Sequence, residues 1–189
     1  MRRRSIGHRS RPWEGTSYLA YYSLISGKQG IWLQRLSQTG AAGGPVRLPG
    51  SETGGHVPTV QERVGITGRG HGRGHGRAGV YAVYANGYPF QRAVDLLRVG
   101  STKATVLATF GALTGVGGDT VTAGPNGRLW ATWFLGDGSL PALFVRASDV
   151  NGQNWGKTVR VPLPSGTQQI LKAYTSGPAA VRQATGNPA

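Results

Sequence analysis

Leu129-Trp130-Ala131-Thr132-Trp133-Phe134, a Gly136-Asp137-Gly138-Ser139 turn, Ala142-Leu143-Phe144-Val145-Arg146-Ala147, a second turn ending at Trp155, and Lys157-Thr158-Val159-Arg160-Val161-Pro162 form the most legible stretch of this chain. Short runs rich in aromatic and β-branched residues, punctuated by Gly, Asp and Asn, read as a meander of antiparallel strands. Taken as a template, the stretch has two earlier copies. In the first, Tyr18-Leu19-Ala20-Tyr21-Tyr22 and Ile31-Trp32-Leu33-Gln34-Arg35-Leu36 flank a Ser26-Gly27-Lys28-Gln29-Gly30 turn, and a shorter strand over 45–49 follows a Gly/Ala loop. In the second, Val80-Tyr81-Ala82-Val83-Tyr84 leads through Asn86-Gly87-Tyr88-Pro89 into residues 93–99, then through Gly100-Ser101-Thr102 into residues 104–108.

An internal spacing supports the repeat. From Ala20 to Arg35, Ala82 to Arg98 and Ala131 to Arg146 the distances are 15, 16 and 15 residues, whereas the alanines themselves are 62 and 49 apart. Nearly constant spacing inside units joined by variable linkers is how a duplicated supersecondary element behaves. Each unit needs one more strand at its start to have four. Residues 59–66 are expected to supply it for the second unit and residues 120–123 for the third.

Composition agrees with an all-β protein. Gly (32) and Pro (11) make up close to a quarter of 189 residues, which suits many short strands and tight turns and disfavours helices. The one passable helical stretch, 168–174, is too short to stand without tertiary support. Four strands per unit and a period of 45–60 residues imply β-propeller blades: a partial or open propeller of about three four-stranded antiparallel blades (units near 13–51, 57–110 and 119–164) plus an incomplete fourth at 168–175. Residues 1–12, with five arginines, read as a mobile basic arm, and residues 176–189 as a flexible tail. An open array also implies self-association, because uncovered sheet edges invite pairing.

The charge is lopsided, with 21 Lys and Arg against 7 Asp and Glu, a net charge of +14. Such an excess attracts polyanions, whether nucleic acid, anionic lipid surfaces or acidic glycans. Between the first two units lies Gly68-Arg69-Gly70-His71-Gly72-Arg73-Gly74-His75-Gly76-Arg77, expected as a flexible loop insertion at 68–77. Arg69, His71, Arg73, His75 and Arg77 are candidate contacts for RNA, DNA or another polyanion, by charge and stacking. Arg35, Arg98 and Arg146, at matched places in the repeat, are candidate anion ligands if the blades bring them together. Duplication of an exposed strand position explains them more simply. His71 and His75 would pair on a metal if helical, but alternate glycines forbid a helix, so no metal or cofactor is expected. With no cysteine, thiol chemistry and disulfides are excluded. No export signal is recognisable, and no stretch approaches the length of a membrane span.

The turn Ser148-Asp149-Val150-Asn151-Gly152-Gln153-Asn154-Trp155 resembles the Asp-box, or bacterial neuraminidase repeat, of sialidase-like β-propellers, whose pattern is Ser-x-Asp-x-Gly-x-Thr-Trp. Ser148, Gly152 and Trp155 match. Val150 stands where the motif has Asp, with Asp149 beside it, and Asn154 replaces Thr. The resemblance implies a structural turn between the third and fourth strands of a blade, distant from any active site, and an extracellular setting. Active sialidases add an arginine triad, an Asp acid/base and a Tyr nucleophile. The family's Phe/Tyr-Arg-Ile-Pro signature is absent, so no catalytic residue is assigned. The reading is a non-catalytic module binding carbohydrate or protein, with a sialidase-type hydrolase and a polyanion binder as alternatives.

Overall fold

A computed structural model describes residues 17–23, 25–37, 39–52, 64–69, 78–86, 91–113, 116–124, 126–135 and 141–167. Among these residues every regular element is a strand, and the twelve strands form three four-stranded antiparallel sheets. In the first sheet, β1 (Ser17–Ser23) pairs with β2 (Gly30–Ser37). The far edge of β2 is shared by two dipeptide strands, β3 (Gly40–Ala41) and β4 (Val46–Arg47). The second sheet is a simple meander of β5 (Val64–Arg69), β6 (Gly79–Asn86), β7 (Gln91–Arg98) and β8 (Thr105–Leu113). The third repeats it with β9 (Val116–Ala123), β10 (Leu129–Leu135), β11 (Ala142–Ala147) and β12 (Val159–Val161).

Side chains alternate across a strand, so one strand can serve two cores. β6 does so. Its residues Tyr81 to Ala85 are all buried: Ala82 and Tyr84 pack with Ile31, Leu33 and Leu48 of the first sheet, whereas Tyr81, Val83 and Ala85 pack with Val121, Leu129, Ala131 and Trp133 of the third. The second sheet is therefore the middle layer of a stack. β9 lies against β5 and β6, and Trp133 stacks on Phe144 within the second core, ring centroids 6.0 Å apart. Continuous apolar runs such as Val80 to Ala85 are what a strand covered on both faces requires.

The meanders expected over 80–108 and 129–162 are present. Three expectations change. The entry strand of the second sheet runs to Arg69, so Gly68 and Arg69 belong to β5 and not to a loop. The third strand of the first unit, expected over 45–49, is present but shortened to β4, and β3 shares its edge of the sheet, because the Gly43-Gly44-Pro45 segment interrupts the ladder: Pro lacks a donor, and Gly43 takes a positive φ of 80°. The third change concerns the repeat register. Ala131 is opposite Arg146, but Ala82 is opposite Leu97 and Ala20 is opposite Leu33. Ala20 also points forward to the second sheet, while Ala82 and Ala131 point back to the preceding one. A one-residue slip turns every side chain over. Shifting the first offset from 62 to 63 restores phase, placing Tyr18 opposite Arg35 as Tyr81 is opposite Arg98. Residues 1–12, 168–175 and 176–189, expected as basic arm, fourth unit and tail, lie outside the described residues, as do residues 59–63 and 70–77.

Candidate functional site

The two seams between the sheets hold the polar chemistry of the described residues. At the seam between the second and third sheets, the Ser148–Trp155 turn connects β11 to β12, the third and fourth strands of its sheet. Its ends are bridged, Ser148 to Trp155, and Gly156 N–H donates to the Ala147 carbonyl at 2.9 Å. Ser148 is buried, its Oγ accepting from Leu129 N–H (2.8 Å) and donating to the Asp149 carbonyl (2.7 Å). Asp149 takes the turn-closing part: Oδ1 accepts from Asn151 N–H (3.0 Å) and Gln153 N–H (2.9 Å), and Oδ2 accepts from the Asn154 side-chain amide (2.8 Å). The Gln153 amide first, then those of Asn154 and Asn151, hold the Asp149 carboxyl below the usual carboxylate range. Trp155 packs on the core between the two sheets.

Arg69 completes this turn from the neighbouring sheet. It is 3% exposed, and its guanidinium donates to the carbonyls of Asn151 (2.7 Å) and Val150. Gly152, at φ +71°, is the closest approach: a Cβ built there would lie 2.6 Å from Arg69 Nη1. Among the candidate anion ligands Arg69 is thus occupied by peptide carbonyls of the same chain. Arg146 is also committed, its Nε donating to the Gly156 carbonyl (2.7 Å) and Nη1 to the Leu107 carbonyl of β8, and Arg98 donates to the Ala78 carbonyl at 2.9 Å. Each works on a different part of the structure. His71, Arg73, His75 and Arg77 lie outside the described residues.

The seam between the first and second sheets has two different ends. At one end the turn after β4 docks on the second sheet. The Tyr84 hydroxyl donates to the Pro49 carbonyl (2.8 Å), and Asn86 Nδ2 donates to Asp95 Oδ2 (2.6 Å). Gly50 lets Asn86 approach, since a Cβ there would lie 2.5 Å from its side chain. Ser51, fully buried, donates to the Leu48 carbonyl (2.7 Å) and accepts from Ile31 N–H (3.0 Å). Burial pushes the Asp95 carboxyl up, partly offset by Asn86. Burial, then the charges of Asp95 and Glu52, pushes the Tyr84 hydroxyl far up. The Tyr84 hydroxyl is thereby kept protonated, as its donation to Pro49 requires, and Asp95 Oδ1 finds no partner among the described residues.

At the other end the seam opens into a cleft of about 590 Å³. Leu33, Leu48 and Leu97, none more than 4% exposed, form its floor. Val46 of β4 and Val99 stand at its walls, and the Gly100-Ser101-Thr102 turn closes one side. Tyr18 and Arg35, directly opposed across β1 and β2, line its mouth. Arg35 is exposed and its guanidinium makes no hydrogen bond or ion pair among the described residues. Arg47 also lines the cleft, but its guanidinium is held 3.3 Å from Glu52 and over the Trp32 ring. Sequence reasoning singled out Arg35 but missed the cleft, whose walls come from segments some 50 residues apart in the chain. Of the four repeat-matched or clustered arginines described, Arg35 alone keeps its charge available at a cavity.

No protein-family model matches the chain, and no curated protein does.

Proposed function

We propose that this chain is a non-catalytic binding module of the sialidase-like β-propeller kind, its sheets serving as consecutive blades, and that it binds carbohydrate or protein ligands carrying an acidic group. The observation that carries this reading is the cleft between the first and second sheets, where an apolar floor meets one uncommitted guanidinium. Sites for ligands favour such concave, mostly apolar places with a few polar groups. Two further features support the propeller part: four-stranded meanders stacked face to face, and the Ser148-Gly152-Trp155 turn between third and fourth strands. Three carboxylates have tasks in the fold, Glu52 on Arg47, Asp95 on Asn86 and Asp149 in its turn.

The test pairs turnover with binding. A sialoside reporter is expected to remain intact over hours with the purified chain, while an acidic ligand bound by the wild type is lost on Arg35→Ala. Reporter turnover that disappears on substitution of a Tyr or Arg overturns the module reading in favour of the hydrolase.

A polyanion-binding reading is favoured by a separate observation: with 21 basic and 7 acidic side chains, most cations have no carboxylate to pair with. Deleting residues 70–77 and titrating salt separates the two. A polyanion binder loses affinity and shows a smaller log-salt slope, whereas a cleft ligand is unaffected.

A further inference from the structure

The lining of the cleft discriminates between the two ligand classes just named, and the inference here rests on that reading. Arg35 and Leu33 are two residues apart on one face of β2, roughly 7 Å along the strand. A ligand must therefore carry its negative charge within about that distance of an apolar group. A sugar acid places several hydroxyls around its carboxylate, more than the side-chain hydroxyls of Tyr18, Ser101 and Thr102 can meet, and the rest would face Leu33, Leu97 and Val46, which offer no hydrogen bond. A second anionic group would find no second free cation at the mouth among the described residues, because Arg47 is engaged by Glu52. A peptide chain end fits both conditions. Its terminal carboxylate lies beside its own last side chain, and one guanidinium accepts a single carboxylate in the bidentate geometry that suits Arg.

We infer that the cleft between the first and second sheets captures the C-terminus of an apolar peptide segment of a partner protein, Arg35 pairing with the terminal carboxylate and the last apolar side chains seating on Leu33, Leu48 and Leu97. Capture of a terminal carboxylate is a known mode of peptide recognition. The hydroxyls of Ser101 and Thr102 at the side of the cleft offer partners for the last peptide units.

Calorimetric titration of the full chain with an N-acetylated tetrapeptide of Leu and Val tests this. The peptide acid is expected to bind at least tenfold more tightly than its carboxamide. Arg35→Ala should erase that difference, and Val46→Asp, at an exposed wall position, should weaken the acid tenfold or more with an unchanged melting temperature. Equal binding of acid and amide, or an acid preference that survives Arg35→Ala, overturns the inference. So does tighter binding of sialyllactose or of decanoate; sialyllactose bound through Arg35 would still uphold the carbohydrate branch of the proposed function. Binding of none of these ligands at millimolar concentration overturns both.

Discussion

Replacing Arg69 by Ala tests how the second and third sheets are fastened. The side chain is buried and donates to the carbonyls of Val150 and Asn151, more than 80 residues away in the chain. A hydrogen bond to a charged group contributes about 1.5–3 kcal/mol, and the freed carbonyls are left without a donor, so the loss is expected at about 3–5 kcal/mol. Against the ~5–15 kcal/mol that stabilises ordinary domains this is a large share. With a urea slope of about 2 kcal/mol per molar, the unfolding midpoint should fall by ~2 M. Gly152→Ala makes the companion measurement. Its positive φ costs an Ala about 1–2 kcal/mol, and the contact with Arg69 adds to that. In the double variant the contact is gone, so the two losses should sum to more than the double variant shows. If Arg69→Ala shifts stability by less than about 0.5 kcal/mol, or the two losses simply add, the interlock does not hold the seam.

Three other outcomes follow from the geometry. Asp149 has a lowered folded pKa, so its contribution is present above the usual carboxylate pKa near 4 and is lost as pH falls through the lower folded value; Asp149→Ala should flatten the acid limb of a stability–pH curve. Asp95 has the opposite sign: its folded pKa is raised, so its favourable contribution is complete below about pH 4 and disappears as pH rises through the folded value. Asp95→Asn, which keeps an acceptor for Asn86 without the charge, should remove that slope and raise the melting temperature at pH 8. Trp133→Ala should cost about 3–5 kcal/mol in denaturant unfolding, because the ring is 1% exposed and stacks on Phe144.

Much of the fold could be read from residue patterns because tightly turned antiparallel strands are local structures. Tyr81-Ala82-Val83-Tyr84-Ala85 announces a strand, and Gly100 and Gly152 announce the turns, without reference to distant residues. What the patterns hid is non-local. The alanine alignment treated three small residues as equivalent, but whether an alanine looks forward or back depends on which sheet lies behind it, and only the register reveals that Ala20 is turned over. Arg69 belongs by composition to the Gly/Arg/His run. Its burial comes from carbonyls far along the chain, which no window around residue 69 contains. Arg35 looked identical to Arg98 and Arg146 in the repeat, yet the latter two are consumed by carbonyls at 78, 107 and 156. The cleft had no signal at all, since Val46 and Leu97 are ordinary apolar strand residues in the sequence until the first sheet stops short with two dipeptide strands.

The middle position of β6 has a consequence for how the molecule comes apart. Its amides are laddered to β5 and β7, and its side chains feed both cores, so no partial opening that spares either outer sheet releases them. In deuterated buffer the amides of Tyr81, Ala82, Val83 and Tyr84 should exchange last and together, by whole-molecule unfolding, while those of β3, β4 and β12 exchange early through local fraying. The central strand would thus act as the slow clock of the molecule, and any bound peptide that slows it must be stabilising the entire stack.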